Sequence, residues 1–503
     1  MGILFPTLLG DLVALIITVT ALIIIYFQYA YTYWARKGVP YIQPKFPLGN
    51  LKTFIVKSYV VGSDSASFYK ELKSKGHKFG GIFTLCRPVL VLTDPDYVRD
   101  IMTKDFHNFI ARGGYHIDED PLSNHLFNVG EKTWKGIRSR LTPTFTTGKM
   151  KMMFHTVVEC SKYMDEYLSQ KAAVNENIDI LDVVASFTTD VIGACAFGIN
   201  CNSFKGTEGE FRAMGREIFI KRTLWSKIKT LLAGTIPELA MKLKLTVVRE
   251  DVSNFFFGTV QNTIKYRNQN NVTRPDFLQL LINIQKEDPN FTMNDLVAQV
   301  FLFFVAGYDT SAATMTFTIF ELCKNPDIQE RVREEILEVL EKNNNEITYE
   351  SLNEMKYLGQ VIDEALRMYP PVQTLTRTCT KDYTLRDTNI IIQRGTPVYI
   401  PLCGFHMDPE YYPEPEKFDP DRFSPENKAL RHPYVHLPFG EGPRNCIGLR
   451  FGVMQSRLGL VRILKDYRLS LSPDTKVPLT FDGTFFLVRS NETILVKAQK
   501  IKS

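Results

Sequence analysis

Residues 292–326, TMNDLVAQVFLFFVAGYDTSAATMTFTIFELCKNP, are apolar on nearly every face through the middle of the run, with no proline before its last position. As a helix this run would span ~45 Å. A helix that is apolar all round must be wrapped by protein or lipid, so the segment calls for a large, mainly helical body around it. Thr292 and Asp295 supply a capping box at its start, and Pro326 its stop. A membrane span is the competing explanation, but Gln299, Asp309 and scattered Thr and Ser dilute the apolar run. With 503 residues, 44% hydrophobic and 23% charged, the chain is globular and has room for a buried cofactor. A formal net charge of +5, without a dense Lys/Arg block, argues against nucleic acid as a partner.

Residues 351–370 predict a second helix, with Ser351 and Glu354 as its capping box and Pro370 as its end. Met355, Leu358, Ile362 and Leu366 would form its buried face. The runs 81–94 and 388–402 predict strands joined by tight turns. Strands are few and far apart, so the expected class is mainly α with small β-sheets (α+β). No repeat or second linker divides residues 51–503, which are expected to form one domain.

From residue 12 to 34 no side chain is charged, close to the ~20 residues a membrane-spanning helix requires. A cleavable signal peptide is the alternative, but no basic start precedes the run. Tyr29, Tyr31, Tyr33 and Trp34 have the composition of an interfacial belt. Residues 1–35 are therefore expected to be a retained N-terminal membrane anchor. Arg36 and Lys37 follow at once and predict a cytosolic body by the positive-inside tendency. Residues 36–50, basic and proline-rich, then form a stiff hinge. Under this topology the sequons at Asn271, Asn290 and Asn491 stay unmodified.

Eight cysteines are scattered without a C-x-x-C pair, which leaves little case for a disulfide framework or a structural zinc site. Cys446 differs in its setting, PFGEGPRNCIG at residues 438–448. Glycines at this density let a backbone turn tightly and approach another group, and Arg444 adds positive charge of the kind that keeps a thiolate deprotonated. On the residues alone, a metal-ligand loop and an ordinary structural loop remain equally open.

The pattern Phe439-x-x-Gly442-x-Arg444-x-Cys446-x-Gly448 resembles the haem-binding loop of cytochromes P450. Ala306-Gly307-Tyr308-Asp309-Thr310 resembles the oxygen-activating segment of that family, and Glu364-Ala365-Leu366-Arg367 its Glu-x-x-Arg motif. Asp419-Pro420-Asp421-Arg422-Phe423 resembles the loop whose arginine joins that pair, and Trp134-Lys135-Gly136-Ile137-Arg138 the helix that meets a haem propionate. The five occur in family order. Residues 116–151 look most like insect microsomal members of the sixth family, which oxidise plant toxins and insecticides.

The resemblance implies the cytochrome P450 fold with an N-terminal transmembrane helix, a haem-thiolate catalytic domain over 51–503, and haem b ligated by Cys446. It implies that Trp134, Arg138, Arg377, Arg444 and Arg112 hold the propionates, with Phe439 also against the cofactor. Gly307 would leave space for dioxygen above Ala306, Thr310 would hydrogen-bond the bound dioxygen, and Asp309 would feed protons. Glu364, Arg367 and Arg422 would form a buried charge network serving folding. His125, Phe127, Phe303, Phe304, Ala306, Thr374, Leu375, Phe485 and Phe486 would line a pocket for apolar small molecules.

No Rossmann-type G-x-G-x-x-G unit is visible, so electrons from NADPH are expected through a separate cytochrome P450 reductase, with cytochrome b5 as a second possible partner. Lys132, Lys135, Lys149 and Lys151 would face the reductase. The implied setting is the endoplasmic reticulum membrane, with a single-pass anchor in the bilayer. The implied activity is an unspecific monooxygenase acting on xenobiotics. Alternatives are an endogenous lipid or hormone hydroxylase, a peroxide-rearranging isomerase of the same fold, and a non-catalytic tethered haem protein.

Overall fold

The computed structural model describes residues 8–51, 64–205, 209–220, 223–482 and 487–501. Its axis is the helix Met293–Lys324, which opens with the anticipated Thr292–Asp295 capping box. The helices Ile180–Ile192, Lys356–Met368 and Leu449–Asp466 pack around it, so its apolar faces are covered by protein rather than lipid. Its threonines are accommodated by bonding backward. The hydroxyls of Thr310, Thr314 and Thr318 donate to the carbonyls of Ala306, Thr310 and Thr314 at 2.6, 2.9 and 2.7 Å, so the core holds few orphan hydroxyls from this helix.

Among the described residues, the helix Leu8–Tyr31 is the long apolar helix that the body leaves unburied. The segment after it is bound to a four-stranded sheet ordered β1-β2-β4-β3, with β1 Phe79–Thr84, β2 Arg87–Leu92, β3 Thr374–Thr378 and β4 Pro397–Pro401. Both strand predictions fall within this sheet and the small Tyr383–Thr384/Ile391–Ile392 pair. A second sheet joins Ile178–Asp179, Leu495–Lys500 and Tyr467–Leu471.

The helix expected over 351–370 is two helices. Tyr349–Glu354 is capped by a Thr348–Ser351 box, the chain kinks at Met355, and Lys356–Met368 follows. The expected cap at Ser351 and Glu354 is therefore wrong, because Thr348, three residues earlier, already offers a hydroxyl to the Ser351 N–H at 3.0 Å. Met355, Leu358, Ile362 and Leu366 are all buried, as expected.

Glu364 and Arg367 are fully buried and paired at 2.7 Å. Arg422 Nε stands 3.5 Å from the same carboxylate. Arg367 also donates to the His406 carbonyl at 2.8 Å, and the His406 and His436 rings lie 5.2 Å apart. Burial, with Arg367 nearby, pushes the His406 imidazole down to about 3, and burial beside His406 holds His436 well below its ordinary value. Both stay neutral in the fold, whereas unfolded histidines titrate near ~6.5. Stability is thus complete above that pH and falls below it, by roughly 1.4 kcal/mol per pH unit per histidine, because only the unfolded chain takes up the protons. Urea unfolding at a series of pH values checks this, with a shallower pH slope expected for His436→Gln.

Candidate active site

The cysteine loop, just before the helix Leu449–Asp466, closes on itself. The Cys446 N–H donates to the Phe439 carbonyl at 2.8 Å, and the Asn445 N–H to that of Gly442 at 3.1 Å. Gly442 has φ +74°, and a methyl group there would run into the Met102 carbonyl, so glycine is required on both counts. The half-buried Phe439 ring packs on the main core. Arg138, on the helix Glu131–Leu141, braces the loop by donating to the Asn445 carbonyl at 2.9 Å and its side-chain oxygen at 2.8 Å. Burial pushes the Cys446 thiol up, opposed by the Gly448 N–H and by Arg112 and Arg138.

Beside the loop lies a cluster of buried cations. Arg112 donates to the Arg444 carbonyl at 2.8 Å and covers the Phe127 ring at 4.2 Å. Arg444 is fastened to the carbonyls of Ile110, Leu126, Phe127 and Val129 and lies over the Trp134 ring at 5.1 Å. Arg377 donates to the Thr376 carbonyl at 2.8 Å. Burial first, and neighbouring guanidiniums after it, push Arg112 down to about 10 and Arg444 to about 9, and hold Arg377 well below its ordinary value. Among the described residues none of Arg112, Arg138, Arg377 and Arg444 has a carboxylate within ion-pair reach. The Nε atoms of Arg377 and Arg444 have no acceptor. Uncompensated buried cations are costly, so the cluster fits a ligand bearing carboxylates.

Accessible surface opens at two points in this part of the fold. Cys446 has exposed surface although protein encloses it, and Ala306 is exposed in the middle of the central helix, between buried Phe304 and Tyr308. Gly452, six residues past Cys446, comes close to Ser311, which brings the start of the Leu449–Asp466 helix beside the 306–310 turn. Among the described residues no three His, Cys, Asp or Glu side chains group as a metal site. A metal here would arrive with most of its own ligands, and a haem with two propionates suits one cysteine and a ring of arginines.

The family model for Cytochrome P450 matches residues 44–498. The chain belongs to the cytochrome P450 family. Probable cytochrome P450 6a14 of Drosophila melanogaster is 40% identical over 490 residues, covering 94% of this chain and 96% of the relative. Cytochrome P450 6a2 of Drosophila melanogaster is 39% identical over 505 residues, covering 97% and 99%. Cytochrome P450 6A1 of Musca domestica is 38% identical over 505 residues, covering 98% and 99%. This P450 is accordingly a haem-dependent monooxygenase akin to insect sixth-family members.

Several residues expected to line the pocket of this P450 sit elsewhere. Phe303 stacks on Phe277 at 4.5 Å and contacts Phe145 and Phe451, while Phe304, 0% exposed, packs on Phe256, Phe211 and Tyr308. Both are core, because the helix buries these positions against its neighbours and leaves Ala306 open. Thr374 is buried and bonded to Ser65 at 2.5 Å, tied into the sheet rather than the pocket. Gly307 faces Ile192, so a side chain there would collide with the Ile180–Ile192 helix. Phe485 and Phe486 lie outside the described residues.

Of the other expected residues, one approaches the cysteine loop and another meets the central helix. Leu375 approaches Gly440 of the cysteine loop. His125 lies beside Phe127 and Phe301, and burial pushes it down to about 4, so its ring is neutral. The neighbouring Leu126 N–H donates to Gln299 on the central helix at 2.9 Å. Thr310 and Asp309 follow Ala306 on that helix, where burial pushes the Asp309 carboxyl up and Arg489 opposes it.

Of the four lysines expected to face a reductase, Lys135 pairs with Glu131 at 3.5 Å and Lys151 with Glu350. Asn445 and Met102 were missed. Their parts are played by a side-chain amide and by backbone groups, which no motif letter records.

Proposed function

We propose that this P450 is a microsomal monooxygenase of apolar xenobiotics, plant toxins or insecticides among them, fed with NADPH electrons by a separate cytochrome P450 reductase. The observation that carries the site assignment is the counter-ion-free arginine cluster beside enclosed but open Cys446. Haem, when bound, supplies the iron chemistry that splits dioxygen, leaving one atom in the substrate and the other as water.

Cys446 Sγ would bind the haem iron, and the Gly448 N–H, Arg112 and Arg138 favour its thiolate against the burial that pushes the thiol up. Arg112, Arg377 and Arg444 would bind the propionates, for which the open Nε atoms of the latter two and the lack of carboxylate partners among the described residues speak. Trp134 forms the floor under Arg444, and Arg138 holds the loop in shape through Asn445. Thr310 Oγ1 donates a hydrogen bond to the Ala306 carbonyl, which leaves its lone pairs to accept from a water. Asp309 passes protons inward to that water, burial holding its carboxyl above the ordinary carboxylate range so that it keeps its proton more readily. His125, Phe127, Leu375 and Ala306 define an apolar, partly aromatic space in which flat substrates lie.

The anchor places the body on the cytosolic face of the endoplasmic reticulum, supported by Arg36 and Lys37 directly after the apolar run. Unmodified Asn271, Asn290 and Asn491 in cells are the expected outcome of that orientation.

Turnover of a panel of plant allelochemicals and insecticides, with reductase and NADPH, tests the function. Product carrying one atom of labelled dioxygen supports it, whereas binding without NADPH-dependent product contradicts it. In Thr310→Ala, product per NADPH is expected to fall roughly tenfold, short of the ~10²–10⁴-fold of direct general acid–base catalysis, because Thr310 only positions the water. Peroxide should rise to match, with the carbon-monoxide spectrum unchanged.

A further inference from the structure

We propose that the His125 Nε2–H donates a hydrogen bond to substrate, selecting flat apolar molecules that carry a carbonyl or similar acceptor at the end remote from the atom oxidised, a role that rests on the monooxygenase reading of the site. His125 keeps accessible surface although protein encloses it, so that surface faces an internal space. Of its two ring nitrogens, Nδ1 is sealed in without a partner. Nε2 has no partner among the described residues either, but it is not sealed in, so it borders the internal space.

The surroundings of the ring place its proton on Nε2. The acceptor beside Nδ1 is the residue's own carbonyl. Both lone pairs of that oxygen are already taken, by the N–H groups of Asn128 and Val129 at 3.0 and 3.2 Å. A proton on Nδ1 would thus be a buried donor without an acceptor, which folded proteins rarely tolerate. The ring is neutral and carries one proton, and only on Nε2 can that proton reach a ligand. Nδ1 is then a lone pair. A donor to match it stands on the residue that holds the next link of the chain, for Gln299 accepts from the Leu126 N–H while its own amide nitrogen is sealed in without a partner.

The loop that carries His125 is stretched between the central helix and the arginine cluster. On the helix side the Leu126 N–H meets Gln299 at 2.9 Å, and the His125 ring lies 6.3 Å from that of Phe301. On the cluster side Arg444 donates to the carbonyls of Leu126 and Phe127, and Arg112 covers the Phe127 ring at 4.2 Å. Gln299 and Ala306 are two turns apart and share a face of the central helix, ~10 Å from one another along its axis. Leu302, between them, and Ala306 both keep accessible surface. A flat fused-ring molecule with one end at Ala306 is long enough to bring its other end to His125. Among apolar neighbours such as Leu302 and Phe127, one N–H decides which way round that molecule lies.

7-Ethoxycoumarin and 2-ethoxynaphthalene share a flat bicyclic frame and an ethoxy ether, and only the first has a lactone carbonyl, at the end away from the ether. Each is titrated into the haem-loaded full-length chain, where the absorption change of the haem gives Kd, and then turned over with reductase and NADPH, where deethylated product gives kcat/KM. In His125→Phe the preference for the coumarin over the naphthalene is expected to fall roughly three- to tenfold in both measures, the worth of one neutral hydrogen bond. Equal losses on the two probes, with the preference unmoved, overturn the proposal and leave His125 a packing residue. A preference that rises overturns it as well, since a bare Nε2 lone pair facing the carbonyl would give that result. If neither probe is deethylated by the unsubstituted chain but the Kd preference still falls in the variant, the hydrogen bond is supported and the monooxygenase reading is the part that fails. Where His125→Phe loses the carbon-monoxide band of a folded body, His125→Met takes its place, with the same two results supporting or overturning the bond.

Discussion

Replacing Glu364 by alanine is expected to destabilise the folded chain by about 3–5 kcal/mol, because it strands a buried guanidinium. Arg367 is 0% exposed and its Nε and Nη2 donate to the two Glu364 oxygens at 2.7 and 2.9 Å. The remaining bonds of Arg367, to the carbonyls of His406 and Pro415 at 2.8 and 2.7 Å, satisfy hydrogens but supply no counter-charge. The Asp419 N–H, which donates to Glu364 at 2.9 Å, would lose its acceptor as well. Arg422→Met should cost less, since that arginine approaches Glu364 only at 3.5 Å and keeps 10% of its side chain in solvent. The double substitution Glu364→Met with Arg367→Met should recover part of the loss, as replacing a buried pair by apolar groups usually does. Urea unfolding of the three variants in one detergent, followed by release of haem, orders them.

What could be foreseen of this protein was local or already a motif. The Thr292–Asp295 cap, the stop at Pro326 and the Glu364–Arg367 pair involve residues three or so apart, and helix geometry alone brings such groups together. The cysteine loop was legible because its glycines have backbone reasons to be glycine, which the Gly442 conformation bears out. Tertiary packing decided the rest. Phe303 and Phe304 flank the same open turn as Ala306, yet which of the three faces the opening depends on the Phe277 and Phe256 rings, far off in sequence. Gly307 was assigned to dioxygen on resemblance, and only the position of Ile192 reveals that helix packing also requires a glycine there. The Thr348 cap was overlooked because two overlapping boxes exist and the kink at Met355 selects between them.

The arginine cluster extends the lesson. Arg112, Arg377 and Arg444 come from three separate stretches of chain, and their shared lack of carboxylate partners among the described residues cannot be seen in any one of them. It is the cluster that makes Cys446 more than a cysteine in a glycine-rich turn. Enclosed cations without counter-charges beside an accessible thiol ask for an anionic, metal-bearing ligand.

The most direct test is the reduced carbon-monoxide difference spectrum of the purified full-length chain beside its Cys446→Ser and Cys446→Ala variants. Turnover should be lost in both variants, and the long-wavelength band from which the family takes its name should vanish, since neither side chain offers a thiolate. Helical content should persist, because Cys446 carries little of the packing and its N–H bond to Phe439 does not depend on the side chain. The unsubstituted chain showing the band, and both variants lacking it while still folded, is the predicted result. A band of undiminished height and position in either variant would contradict the assignment of Cys446 as the axial ligand.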